Sequence, residues 1–168
     1  VAAMGVKCIC YNFMPVFDWT RTQLDHINAD GSTSLAYYQK QVDEVNPLKE
    51  NSNLTLPGWD ASYSRSELAD VVAQYNKMSE EDLWDNLAYF IHRIIPVAAE
   101  CDVYMAIHED DPCWSIFGLP RIITNEKNLD RFLALEDDVH HGITLCTGSL
   151  GCSKKNDVAA MAYKYSKM

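Results

Sequence analysis

Val103-Tyr-Met-Ala-Ile107, running directly into His108-Glu-Asp-Asp-Pro112, is the stretch that decides the fold. An apolar run of this length, closed by charged residues and proline, reads as a strand of a parallel sheet buried on both faces. Behind it, Leu83, Leu87, Phe90, Ile91, Ile94, Ile95 and Ala98 keep a helical period. Ser79-Glu-Glu-Asp82 opens that helix as a capping box. Pro96 lies inside the pattern and predicts a kink or an end to regular hydrogen bonding in the last turn. A preceding helix spans Ser66 to about Met78, with Leu68, Val71, Val72 and Tyr75 on one face.

Beyond the deciding stretch, Asn125 begins a helix carrying Leu129, Phe132, Leu133 and Leu135. Gly142-Ile-Thr-Leu-Cys146 reads as another strand, and Asp157 starts a last helix with Val158, Met161, Ala162 and Tyr165 at helical spacing. At the front, Val6-Lys-Cys-Ile-Cys-Tyr11 is a strand ended by Asn12-Phe-Met-Pro15, because proline removes a ladder donor. Residues 25–62 are polar and irregular, with turn signals at Asp30-Gly31 and Pro57-Gly58. So long an excursion, extending to about residue 65, is expected to act as a lid-like insertion. Strands alternating with helices give an α/β protein with parallel strands joined by crossover helices, here a single domain over residues 1–168.

The composition excludes several classes. Hydrophobic residues make up 48% and charged residues 23%, a globular balance. Acidic residues outnumber basic ones 24 to 14, for a net charge of −10, and no basic cluster offers a surface for nucleic acid. No apolar run is long enough for a membrane helix, and no signal peptide is visible. The six cysteines form no C-x-x-C pair, so reduced thiols in the cytoplasm are the expectation. The chain begins at Val1, almost inside a strand, and is expected to be part of a longer polypeptide.

Chemistry in a parallel α/β protein sits at the C-terminal ends of strands. Three such ends carry polar clusters: Asn12 with Asp18 and Arg21, His108 with Asp110 and Asp111, and Cys146 with Thr147 and Ser149. His108 is open to three roles: metal ligand, general base or satisfied core residue. Asp110 and Asp111 supply oxygen acceptors of the kind that orient a ligating imidazole, or else cap the next segment. Cys146 is either a small buried side chain or, beside His108, a thiolate ligand; nitrogen with sulfur suits Mn, Fe, Co or Zn better than Mg or Ca. Arg21 and Arg121 are each either a carboxylate clamp or a structural arginine. Cys8 and Cys10 share one face of their strand and are expected to pack.

Three segments together carry a family resemblance. Cys10-Tyr-Asn-Phe-Met-Pro-Val-Phe-Asp-Trp-Thr-Arg21, then His108-Glu-Asp-Asp-Pro112 with Ile116-Phe-Gly-Leu-Pro-Arg-Ile122, then Gly142-Ile-Thr-Leu-Cys-Thr-Gly-Ser-Leu-Gly151 are similar to the third, fourth and fifth strand segments of mannonate dehydratases. The resemblance implies part of a (β/α)8 TIM barrel of the xylose-isomerase-like kind. It implies dehydration of D-mannonate to 2-keto-3-deoxy-D-gluconate in glucuronate breakdown. The implied cofactor is Mn2+ or Fe2+, with His108 and Cys146 as ligands and a further His and Asp from later strands that this chain does not contain. Asn12 and Arg21 are the expected substrate contacts, Asp110 and Asp111 the expected outer shell, and a homodimer the expected assembly. Two positions depart from the family pattern: Glu109 and Cys113 stand where the family usually has proline. Glu109 is expected to add a charge beside the metal position.

Two rival expectations follow. Another metal-dependent sugar isomerase or epimerase of the same barrel type is one, against which Cys146 argues. A catalytically incomplete segment is the other, because a barrel takes about 250 residues.

Overall fold

Helix α3 (Glu80–Glu100) is the organising element of the molecule, and the sheet is laid against it. The structure is a computed structural model describing residues 1–44 and 65–167. Before α3 come β1 (Cys8–Tyr11), β2 (Gln23–Ile27), β3 (Thr33–Ala36), α1 (Gln39–Glu44) and α2 (Arg65–Tyr75). After it come β4 (Tyr104–Ile107), α4 (Glu126–Leu133), β5 (His141–Ile143), α5 (Thr147–Gly151) and α6 (Val158–Tyr165).

Strands β1, β4 and β5 form one three-stranded sheet in that order, and both pairings are parallel. Met105 stands between Ile9 and His141, and Ile107 between Tyr11 and Ile143. The expected parallel α/β arrangement is therefore present. Ser79 opens α3 as expected: its hydroxyl accepts from the Asp82 N–H at 3.1 Å, and the Asp82 carboxylate accepts from the Ser79 N–H at 2.9 Å. Leu83, Leu87, Ile91, Ile95 and Ala98 then bury one stripe of the helix beneath Met105 and Ile107. Each such large side chain contributes about 1.5–3 kcal/mol when fully removed from water. Asn125 and Asp157 cap α4 and α6 through their side-chain oxygens.

Five expectations need correction. Pro96 does not end α3, which runs on to Glu100. The proline removes only its own N–H, and buried Ile95 and Ala98 pin the turns on either side. The sheet is not covered on both faces among the described residues. Tyr104 is 45% exposed, and Cys8, directly opposite it, is exposed, as is Cys10 opposite Ala106. Cys8 and Cys10 consequently do not pack.

Residues 25–44 are not irregular. Strands β2 and β3 pair as an antiparallel hairpin whose turn is closed by Asn28 and Gly31, and α1 follows. Most hairpin side chains are exposed, so no apolar alternation marks the strands. The Pro57-Gly58 signal lies outside the described residues. Finally, β5 stops at Ile143 rather than Cys146, because Leu145 turns into the left-handed region at φ 53° and Cys146 becomes the N-cap of α5.

A second, smaller apolar cluster of Phe17, Val72, Ile116 and Leu119 ties the segment after β1 to α2 and to the loop after β4. Buried Arg121 reinforces this junction by donating to the carbonyls of Phe17 at 2.6 Å and Asp18 at 3.2 Å. These contacts hold the β1 and β4 loops over one end of the sheet.

Candidate metal centre

A cleft of about 510 Å³ opens at the C-terminal ends of the three parallel strands. Asn12, Asp18, Arg21, His108, Asp111 and Cys146 contribute to its lining. The structure thus gathers five of the six expected site residues, Asn12, Arg21, His108, Asp111 and Cys146, around one space, and leaves out Asp110.

His108 follows β4 directly. Its Nδ1 lies 2.7 Å from the Glu109 carbonyl oxygen, which can only accept, so Nδ1 carries the proton. The Nε2 lone pair is then the free one, the form a metal ligand or a base requires. Asn12 Nδ2 approaches the same Nδ1 at 3.4 Å, a donor facing a donor rather than a strong bond. Burial by itself would lower the His108 pKa, but the Glu109 carbonyl and the neighbouring Cys146 outweigh it and hold the imidazole above its ordinary value.

Cys146 meets His108 across the β4–β5 boundary, close enough for the two side chains to interact directly. Burial would raise its thiol, but hydrogen bonds from Ser149 and the charge of His108 outweigh burial and hold it below the ordinary value. The Ser149 hydroxyl donates to Sγ at 3.4 Å. A thiolate is the form that binds metal. An imidazole nitrogen and a thiolate sulfur facing one cleft fit a borderline divalent ion. Among the described residues no third His, Cys, Asp or Glu joins them in a cluster. Two donors fit half of a four-coordinate sphere.

Asp110 and Asp111 have other partners. Asp110 is fully buried and accepts from the N–H groups of Ile122 at 2.8 Å and Ile123 at 3.0 Å, and burial pushes its carboxyl up to about 6. It shapes the loop after β4. Asp111 pairs with Arg21 instead, through both oxygens. The oxygen acceptor that orients His108 is the Glu109 carbonyl. Arg121 faces the loop junction and not the cleft, so it serves as a structural arginine.

Sequence reasoning missed what Glu109 does. Its side chain is fully buried, and Oε2 accepts from the Cys146 N–H at 2.8 Å and the Thr144 hydroxyl at 3.2 Å. The Glu109 side chain is therefore aimed at the turn after β5. An acidic residue two positions past a buried strand was the available signal.

The profile of the D-mannonate dehydratase (UxuA) family matches residues 1–168. The chain belongs to the D-mannonate dehydratase family. Mannonate dehydratase 2 of Halalkalibacterium halodurans is 55% identical over 161 residues, which are 96% of this chain and 46% of that protein. Mannonate dehydratase of Streptococcus pneumoniae is 54% identical over 162 residues, 96% of this chain and 44% of its own length. The crystal structure of mannonate dehydratase from Streptococcus suis serotype 2 superposes with a TM-score of 0.87 at 48% identity, covering 99% of this chain and 44% of that one. The chain spans less than half the length of these mannonate dehydratase relatives. No helix among the described residues is long and apolar enough to cross a membrane.

Proposed function

We propose that this chain contributes the third to fifth βα units of a mannonate dehydratase, a hydro-lyase that converts D-mannonate to 2-keto-3-deoxy-D-gluconate in glucuronate catabolism. The observation that carries this reading is the placement of His108 and Cys146 together at the cleft, on a chain of this family. Residues 1–168 then form part of one (β/α)8 barrel domain. In that setting the exposed sheet face bearing Cys8 and Cys10 becomes the barrel interior, and the segment from about 25 to 65 is a lid-like insertion.

His108 Nε2 and Cys146 Sγ are the proposed ligands of a divalent ion, Mn2+ or Fe2+. When bound, such a cation supplies Lewis-acid stabilisation for charge that gathers on the substrate carboxylate as its α proton leaves. The chain's own residues prepare the site. The Glu109 carbonyl fixes the His108 tautomer, and Ser149 holds the Cys146 sulfur. Asn12 and Arg21 are the proposed substrate contacts. Asp111 takes one N–H from each Nη of Arg21 and the Thr20 carbonyl takes a further Nη1–H, leaving the second Nη2–H to reach a hydroxyl or carboxylate oxygen. Loss of the C2 proton and of the C3 hydroxyl needs a base and an acid, and these are assigned to later strands of the protein. Residues 1–168 alone are expected to lack turnover, since two donors bind an ion weakly. The partner is a small sugar acid rather than nucleic acid or a membrane, and the enzyme is proposed to be a cytoplasmic homodimer.

The test is a product assay with the full-length protein, D-mannonate and Mn2+. Formation of 2-keto-3-deoxy-D-gluconate is expected. An assay that yields no 2-keto-3-deoxy-D-gluconate would overturn this reading, and a C2-epimeric aldonate in its place would move the protein to an epimerase.

A further inference from the structure

Strands β4 and β5 leave the sheet side by side, one toward His108 and the other toward Cys146. The last backbone bond between them runs from the Thr144 N–H to the Ile107 carbonyl at 2.9 Å. Past that point the β5 chain turns through Leu145 in the left-handed region, which costs a residue with a side chain roughly 1–2 kcal/mol. The ladder no longer serves the Cys146 N–H. The Glu109 carboxylate takes over, accepting it at 2.8 Å and the Thr144 hydroxyl at 3.2 Å. Glu109 is 0% exposed. Oε2 takes both of these bonds, while Oε1 is buried without a partner among the described residues, so the turn after β5 is where this side chain finds its hydrogen bonds.

One residue therefore holds both of the proposed ligands. Its backbone carbonyl takes the His108 Nδ1–H at 2.7 Å, and its side chain takes the Cys146 N–H. We propose that Glu109 is a positioning residue of the metal centre, fixing the Cys146 backbone so that Sγ and His108 Nε2 converge on one cation. The inference rests on the reading that His108 and Cys146 share that cation.

The test titrates full-length, metal-free protein with Co2+ and follows the thiolate-to-cobalt absorption band. Glu109→Ala is expected to weaken Co2+ binding about 10- to 100-fold, the usual effect of losing an outer-shell partner. Glu109→Gln keeps an amide oxygen for the Cys146 N–H and is expected to stay within about threefold of the parent. Glu109→Asp keeps the charge but falls a methylene short, so it should bind as weakly as the alanine variant. If Glu109→Ala does not fold, the Gln and Asp variants decide between position and charge. Hydrogen exchange of the 144–147 segment in metal-free protein should quicken in the Asp variant and not in the Gln variant. Variants that match the parent in affinity and band overturn the role of Glu109 alone. So does a Gln variant that binds weakly while Asp binds at full strength. A parent without the thiolate band overturns the shared-cation reading and this inference with it.

Discussion

Arg21 and Asp111 meet fork to fork, with Nη1 2.9 Å from Oδ1 and Nη2 2.8 Å from Oδ2. The pair joins the loop after β1 to the loop after β4, and it forms one wall of the cleft. The same guanidinium lies 5.4 Å from the Trp19 ring centre and donates to the Thr20 carbonyl. Asp111 draws the Arg21 pKa further up by its hydrogen bond, against burial.

Breaking this pair should loosen the loop. Asp111→Ala leaves a half-buried guanidinium without its carboxylate, and hydrogen bonds to charged groups contribute about 1.5–3 kcal/mol. Partial exposure places the loss toward the lower end of that range. Urea unfolding of the variant should show a lower midpoint with an unchanged slope. An unchanged midpoint would mean that water replaces Asp111 at no cost.

His141 predicts a pH dependence away from the cleft. Its Nε2 lies 2.8 Å from the Phe132 carbonyl, and its ring sits 4.2 Å from that of Phe132. Burial holds its pKa below the ordinary histidine value, against the Phe132 carbonyl, which raises it. A depressed folded value means that the unfolded chain binds a proton first as pH falls. The stabilisation is thus present above the ordinary value of about 6.5 and is lost as pH drops through the depressed one. His141→Gln should flatten the stability profile between neutral and mildly acidic pH. Identical slopes for parent and variant in a urea series would remove His141 as the cause.

Much of this was legible in the sequence, and the failures have physical reasons. The apolar run through Ile107 gave β4, and the helical period with Ser79 and Asp82 gave α3, because burial and capping leave direct traces in residue order. His108 and Cys146 were legible as candidates because parallel sheets place strand ends together. The end of β5 was not, since nothing in a leucine announces the left-handed turn at Leu145. The β2–β3 hairpin was not, since its exposed side chains carry no period. Asp111 was expected to orient His108; it lines the same cleft but pairs with Arg21, ninety residues earlier, a choice made by the fold of two loops. Glu109 stood out only as a departure, and its aim at the Cys146 N–H depends on the turn that the sequence hides.

His108 and Cys146 are proposed to bind one divalent ion. Crystals of the full-length protein grown with Mn2+, with data collected near the manganese edge, test it most directly. A single strong anomalous peak bonded to both His108 Nε2 and Cys146 Sγ is expected, at distances near the roughly 2.0–2.3 Å of zinc-like ligation. A strong peak elsewhere, with neither side chain among its ligands, would contradict it.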